Sequence, residues 1–363
     1  MPTYTQWTDI SATAQDEVNH NKYCDIPPGN YFWDGPPLVF PSGIPVAAGG
    51  GDGASLPNMD FKLIDGKAQG ITAIQFRGKA TGLVDIPVNQ PMPTGKITGL
   101  RLIGGTFPFI SRYTGPNVYD MQVIEDVALF NFSKCGISNN APDSPFWKLN
   151  RVIIQGANNS VAMALAGYTD STSILDVDIR GHMIGIKLGR GGPNMRVEGV
   201  GFLHFDNSLG PRIEVWVVPE PAQPIWWFWT APPAVAGQGL RIGNGVRFGN
   251  EGLRKTDLRI VYADERPVAN TVFGDPARLP ELAKQSKGYI YGHTVERCDM
   301  YGIGEDIPLV YSMTDNIAGC SWGEQCTQQG SRSPSGAPVY KSFSGKAPLG
   351  KNNVIVPPRI AAA

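Results

Sequence analysis

Long apolar runs are missing from this chain of 363 residues, and with them any stretch able to cross a bilayer as a helix. An excess of one charge is missing too. The 31 basic and 32 acidic residues are interspersed and the net charge is −1, so no basic stripe points to nucleic acid. Helical periodicity is scarce, confined to short stretches at 12–22 and 277–285. Cysteine is sparse and odd in number: Cys24, Cys135, Cys298, Cys320 and Cys326 are scattered, which argues against a disulfide framework. Cys135 and Cys298 fall in or beside strand patterns and read as small buried apolar residues. Cys320 and Cys326 are close enough in sequence to pair or share a metal. No second pair and no nearby His completes a zinc set, so no metal and no other cofactor is expected. The opening Met1-Pro-Thr-Tyr-Thr-Gln-Trp7 has neither a basic n-region nor an apolar h-region, and no secretory signal is expected within this chain.

What the chain does have is glycine and proline, 44 and 31 residues, against 42% hydrophobic residues, a turn-rich but not disordered composition. It also has a repeat. Ile174-Leu-Asp-Val-Asp-Ile-Arg-Gly181 recurs in pattern at Ile124–Asn131, Leu149–Gly156, Val197–His204 and Lys255–Tyr262, mostly at intervals of about 20–30 residues. In each, two apolar residues stand two apart: Val127/Leu129, Val152/Ile154, Val177/Ile179, Val200/Phe202 and Leu258/Ile260. Period 2 means strand, with the pair facing inward. A strand recurring with turns between predicts an all-β stacked solenoid, because one coil cannot bury its apolar face alone. Thr294–Gly302 resumes the pattern with Cys298 and Met300 inward.

The expected organisation is an entry and capping module at 1–45, a coil array at 46–330 with insertions at 211–239 and 266–287, and an extended tail at 331–363. In the entry module, Cys24-Asp-Ile-Pro-Pro-Gly-Asn-Tyr-Phe-Trp33 reads as strand, turn, strand. This segment resembles the opening of pectate-lyase-like right-handed parallel β-helices, ahead of a coil array as in those families. The resemblance implies a right-handed, single-stranded parallel β-helix with loop insertions, and the motif spacing implies roughly 8–11 coils over 24–330. The glycine run 49–53 lacks a following Lys-Ser/Thr and is a loop rather than a phosphate cradle.

Aligning the coils by their inward pairs lines up outward columns. One reads Asp126, Arg151, Asp176, Gly199, Asp257, Arg297; the next includes Asp178, Gly201 and Arg259. Strict alternation puts Asp176, Asp178 and Arg180 on one exposed face, with Asp126 two coils away and Arg151 between. Two readings stay open. Carboxylates about 6.5–9.5 Å apart suit inverting glycoside hydrolysis, with Asp176, Asp178 and Asp126 catalytic and Arg151 and Arg180 binding substrate. The alternating signs of Asp126, Arg151 and Asp176 equally suit a solvated charge ladder. For proton abstraction in a lyase, Arg151, Arg180, His182 and Lys187 are the nearby candidates. Trp226, Trp227, Phe228 and Trp229 cannot all be buried by one strand; Trp226, Trp227 and Trp229 are candidates for stacking on sugar rings or for contact with another subunit. The Asn-Thr-Asp and Asp-Asp motifs of polygalacturonases are absent, and Asp176 with Asp178 is too small a set for the calcium of pectate lyases.

The coil array, the open entry module and the apolar outward residues Ile103, Phe130, Leu203 and Val261 together resemble a phage tailspike. That resemblance implies a homotrimer on the virion tail, or an extracellular protein, that binds and depolymerises a bacterial surface polysaccharide by hydrolysis or elimination. Other virion tail proteins are then partners, and neither nucleic acid nor membrane insertion is expected. A non-catalytic receptor-binding fibre and a secreted pectate-lyase-like enzyme are the alternatives.

Overall fold

The structure, a computed structural model, describes residues 3–21, 24–39, 59–60, 72–87, 95–112, 122–139, 147–157, 159–165, 171–181, 184–189, 195–203, 212–217, 235–238, 240–248, 260–264, 289–301, 309–312, 317–329, 339–342, 345, 348, 350–357 and 359–360. These residues build a parallel β-solenoid with an 18-stranded sheet, a nine-stranded sheet and a small three-stranded one. The nine-stranded sheet runs in chain order from Val84–Ile86 through Cys135–Asn139, Val161–Leu165 and Ile213–Val217 to Tyr340–Ser342. The large sheet takes two strand segments from most coils, and these meet at a corner.

The inward pairs are buried as their periodicity predicts. Val127, Leu129, Val152, Ile154, Val177, Ile179, Val200 and Phe202 are all at most 2% exposed. They stack in register, Val152 between Val127 and Val177 and Ile154 between Leu129 and Ile179. Each coil thus completes the burial of its neighbours, the condition that makes a solenoid stable.

The fifth expected pair is a correction. Leu258 lies outside the described residues, and Ile260 belongs to the nine-stranded sheet, in register with Ile213 and Val310. The next coil of the large sheet is 240–248, where Phe248 registers with Phe202 and Met300. Asp257 and Arg259 lie outside the described residues, and Asn244 and Arg247 hold the outward column places of the coil that follows. Gly243, Asn244 and Gly245 interrupt the alternation there and hide the coil from a period-2 search. Ile213–Val217 is a strand of the nine-stranded sheet, and Tyr340–Ser342, Val354–Ile355 and Arg359–Ile360 continue the coils beyond residue 331.

At the entry, the helix expected at 12–22 is Ser11–Asn21. The Asp9 carboxylate accepts the Ser11 N–H at 3.1 Å, satisfying one orphan donor of the first turn. Residues just before the helix pair with the free edge of Gly29–Trp33. Trp7 N–H donates to Asn30 O at 2.7 Å, and Phe32 N–H donates to Thr8 O at 2.9 Å. Ala14 and Val18 join the core, so the edge of the first strand is covered. Buried Glu17 accepts from Tyr4 Oη at 2.5 Å and from Asp25 N–H at 3.0 Å. Cys320 and Cys326 do not pair; all five cysteines are free and buried.

Candidate active site

The first outward column is a column of corners. Asp126, Arg151, Asp176, Asn244, Arg297 and Gln325 all have φ between 49° and 56°, and Gly99 and Gly199 have φ of 73° and 63°. A left-handed residue inserted between two strand segments turns the chain from one to the other. It also resets the alternation: buried Ile174 and Val177 are three apart, not two. Asp176 therefore stands at the corner, and Asp178 and Arg180 lie on the strand segment after it. The single shared face expected for these three residues does not form.

Left-handed backbone is costly for arginine and less so for aspartate and asparagine. Side-chain links along the column offset that cost. Arg151 Nε and Nη2 donate to Asp126 Oδ1 and Oδ2 at 2.6 and 2.7 Å, and Nη2 also reaches Glu125 at 3.1 Å. Arg297 donates to Asn244 Oδ1 at 2.9 Å and to Gln325 Oε1 at 3.0 Å. Arg151 thus pairs with Asp126, not Asp176, and the Asp126 end of the column is a charge ladder. The Asn150 amide, then Lys96 and Arg151, hold the Glu125 carboxyl below its ordinary range against the opposing effect of burial.

Glu125 is 17% exposed, so this network responds to acid. A depressed folded pKa gives stability that is present above the ordinary value of 4.5 and lost as pH falls through the folded value. Glu125→Gln is expected to lower stability by about 1 kcal/mol at neutral pH, the scale of a charge-assisted hydrogen bond. The difference between parent and variant should shrink as thermal melts move from pH 7 to below the ordinary glutamate range. Melting curves that stay parallel over that range would rule out this role.

Asp176 differs from its column neighbours, having no hydrogen-bond or ion-pair partner among the described residues. The coil above it supplies Gly199, and a Cβ there would lie 2.5 Å from Asp176 Oδ1. Two residues on, Gly201 leaves a second gap. Its Cα registers with Asp178, whose Oδ1 lies 3.8 Å from where a Cβ would be. Asp178 Oδ2 accepts Arg180 Nε at 2.9 Å and also Nη2, while Oδ1 is buried without a hydrogen-bond partner among the described residues. Asp176 Oδ1 thus fills the space over Gly199, and the bare backbone of Gly201 leaves a notch beside Asp178, so that two carboxylates border this stretch. One is unpaired, and the other is oriented by a guanidinium. The alternation pattern named both aspartates and Arg180, but missed the glycines beside them, although they stand in the same columns.

The remaining expected residues scatter. Lys187 lies on the strand of the nine-stranded sheet that follows Asp178 in the same coil, where it is 1% exposed. Trp226, Trp227 and Trp229, and also His182 and His204, lie outside the described residues.

No family model matches the chain, and no curated protein does. Among solved structures, the A-module of mannuronan C-5 epimerase AlgE6 from Azotobacter vinelandii is similar, with a TM-score of 0.42 and 13% identity. The similarity covers 98% of this chain and 96% of that one, a level at which no residue can be matched to another.

Proposed function

We propose that this chain cleaves a polysaccharide by glycoside hydrolysis at the Asp176–Asp178 notch. The observation that carries the reading is the pair of carboxylates beside Gly199 and Gly201, with bare backbone left open at Gly201. Inverting hydrolysis needs two carboxyl groups with room for a water between them, roughly 6.5–9.5 Å apart. Asp178, fixed by Arg180, takes a proton from the water as its oxygen bonds to the anomeric carbon. Asp176 gives a proton to the departing glycosidic oxygen. Both proton and electron pair are accounted for, and the sugar inverts. Asp178 holds the Arg180 guanidinium further into its charged range, which disfavours Arg180 as the base of an elimination.

Digestion of a panel of bacterial capsular and O-antigen polysaccharides tests this. New reducing ends without ultraviolet-absorbing product are expected, since only elimination makes an unsaturated uronate. An absorbing product, or no cleavage across the panel, overturns hydrolysis here.

The tailspike form of the reading adds a homotrimer at the virion tail. Ile103 and Phe130, half-buried, and Ile153, 38% exposed, support it as outward apolar residues of the large sheet. Sedimentation is expected to give three times the 39.1 kDa chain mass; a stable species at 39.1 kDa excludes the trimer. A non-catalytic fibre would bind cells carrying the polysaccharide and release no reducing ends.

A further inference from the structure

We propose that Cys298 and Cys326 are a disulfide-forming pair that links two consecutive coils under oxidising conditions. Both side chains face the core, at most 1% exposed. They occupy the same inward position one coil apart: the residues that follow, Asp299 and Thr327, are register partners, as are Met300 and Gln328. Thr327 N–H donates to Cys298 O at 2.9 Å, which fixes the two backbones at parallel-strand spacing. That spacing, about 4.8 Å, falls within the roughly 4.4–6.8 Å between Cα atoms that a disulfide spans.

The Cys326 sulfur already lies against the neighbouring strand: the Cys298 N–H donates to Cys326 Sγ at 3.4 Å. Cys298 Sγ donates to Glu296 O at 3.3 Å, while Cys326 Sγ accepts a backbone N–H, which favours its thiolate and marks Cys326 as the attacking sulfur. With a small disulfide such as oxidised glutathione as oxidant, the Cys326 thiolate attacks one glutathione sulfur and expels glutathione thiolate. Cys298 then loses its proton and attacks Cys326 Sγ, expelling the second glutathione. Two thiols are oxidised and one glutathione disulfide becomes two thiols. The other cysteines are placed elsewhere. Cys135 is in the nine-stranded sheet, and Cys320 Sγ accepts the N–H of His293 at 3.4 Å.

The pair is buried, so exchange needs local opening of the coil, and incubation just below the melting temperature supplies it. The whole chain is incubated with oxidised glutathione, unfolded and alkylated. It is expected to carry two fewer alkyl groups than reduced protein, and a proteolytic peptide should join Cys298 to Cys326. Cys320→Ser should keep the link and Cys326→Ser should abolish it. The oxidised parent should melt several degrees higher, because the link constrains the unfolded chain. Five alkylated cysteines after incubation, a link through Cys320, or glutathione retained on Cys326 overturns the proposal. None of these outcomes depends on the carbohydrate reading.

Discussion

Asp178→Asn is expected to lower turnover about 10²–10⁴-fold on any polysaccharide the parent cleaves, the span typical of losing a general acid or base. The amide matches the carboxylate in size but cannot take a proton from water. Asp176→Asn should lose a similar factor, because an amide cannot deliver a proton to the leaving oxygen. Folding should survive both changes. Asp176 is exposed and has no partner among the described residues, and exposed ion pairs contribute about 0–1 kcal/mol. A solvated charge ladder predicts no loss of turnover, so these variants separate the two readings left open by sequence. The floor gives an independent check. The ideal Cβ of Gly201 meets only Asp178 Oδ1, at 3.8 Å, so a larger side chain has room to point outward without disturbing the core. Gly201→Leu should therefore fold, fill the notch and abolish cleavage. Full activity in Gly201→Leu, or in both asparagine variants, would move the active site elsewhere on the solenoid.

The core was readable because branched apolar residues two apart state the inward face directly. The corner was present in the sequence as well, in a form that alternation obscures. Ile124, Val127 and Leu129 are spaced three then two; so are Leu149, Val152 and Ile154, and Ile174, Val177 and Ile179, all buried. The step of three is the left-handed residue. Reading it as two-residue alternation put Asp176 on the face of Asp178, when a one-residue offset is enough to move a side chain from face to corner. The coil at 240–248 failed for a related reason. Ile242 and Val246 are four apart because Gly245, also at positive φ, follows the corner residue Asn244. The Cys298/Cys326 neighbourhood follows from coil register, which depends on pairing across 28 residues rather than on local pattern. Asp178's link to Arg180, by contrast, is between residues two apart on one strand and was open to a local reading.

Phe202→Ala is expected to cost about 3–5 kcal/mol, the range for truncating a core aromatic. Phe202 is fully buried, and its ring stacks on Phe248 of the next coil with centroids 5.5 Å apart and planes 1° from parallel. The ring also spans the interior to the nine-stranded sheet. A Cβ on Gly185 would come within 2.6 Å of Phe202 Cε1, so the ring fills the space that glycine leaves. Truncation would open a cavity walled on one side by Gly185 backbone, with no side chain there to relax inward. The surviving Phe248 would also lose a stacking partner, worth about 0.5–1.5 kcal/mol beyond area alone. Ile179→Val, one coil below in the same column, removes a single methylene and should cost only about 0.5–1.5 kcal/mol. Equilibrium denaturation of the two variants against the parent measures both. In a stack of coupled coils the Phe202→Ala transition should also broaden, because weakening one interface lets the coils on either side unfold with less cooperation. A loss below about 2 kcal/mol, with the parent's steepness kept, would mean that the interior closes around the missing ring and that the coil contact through Phe202 and Phe248 is not where this solenoid's cohesion is concentrated.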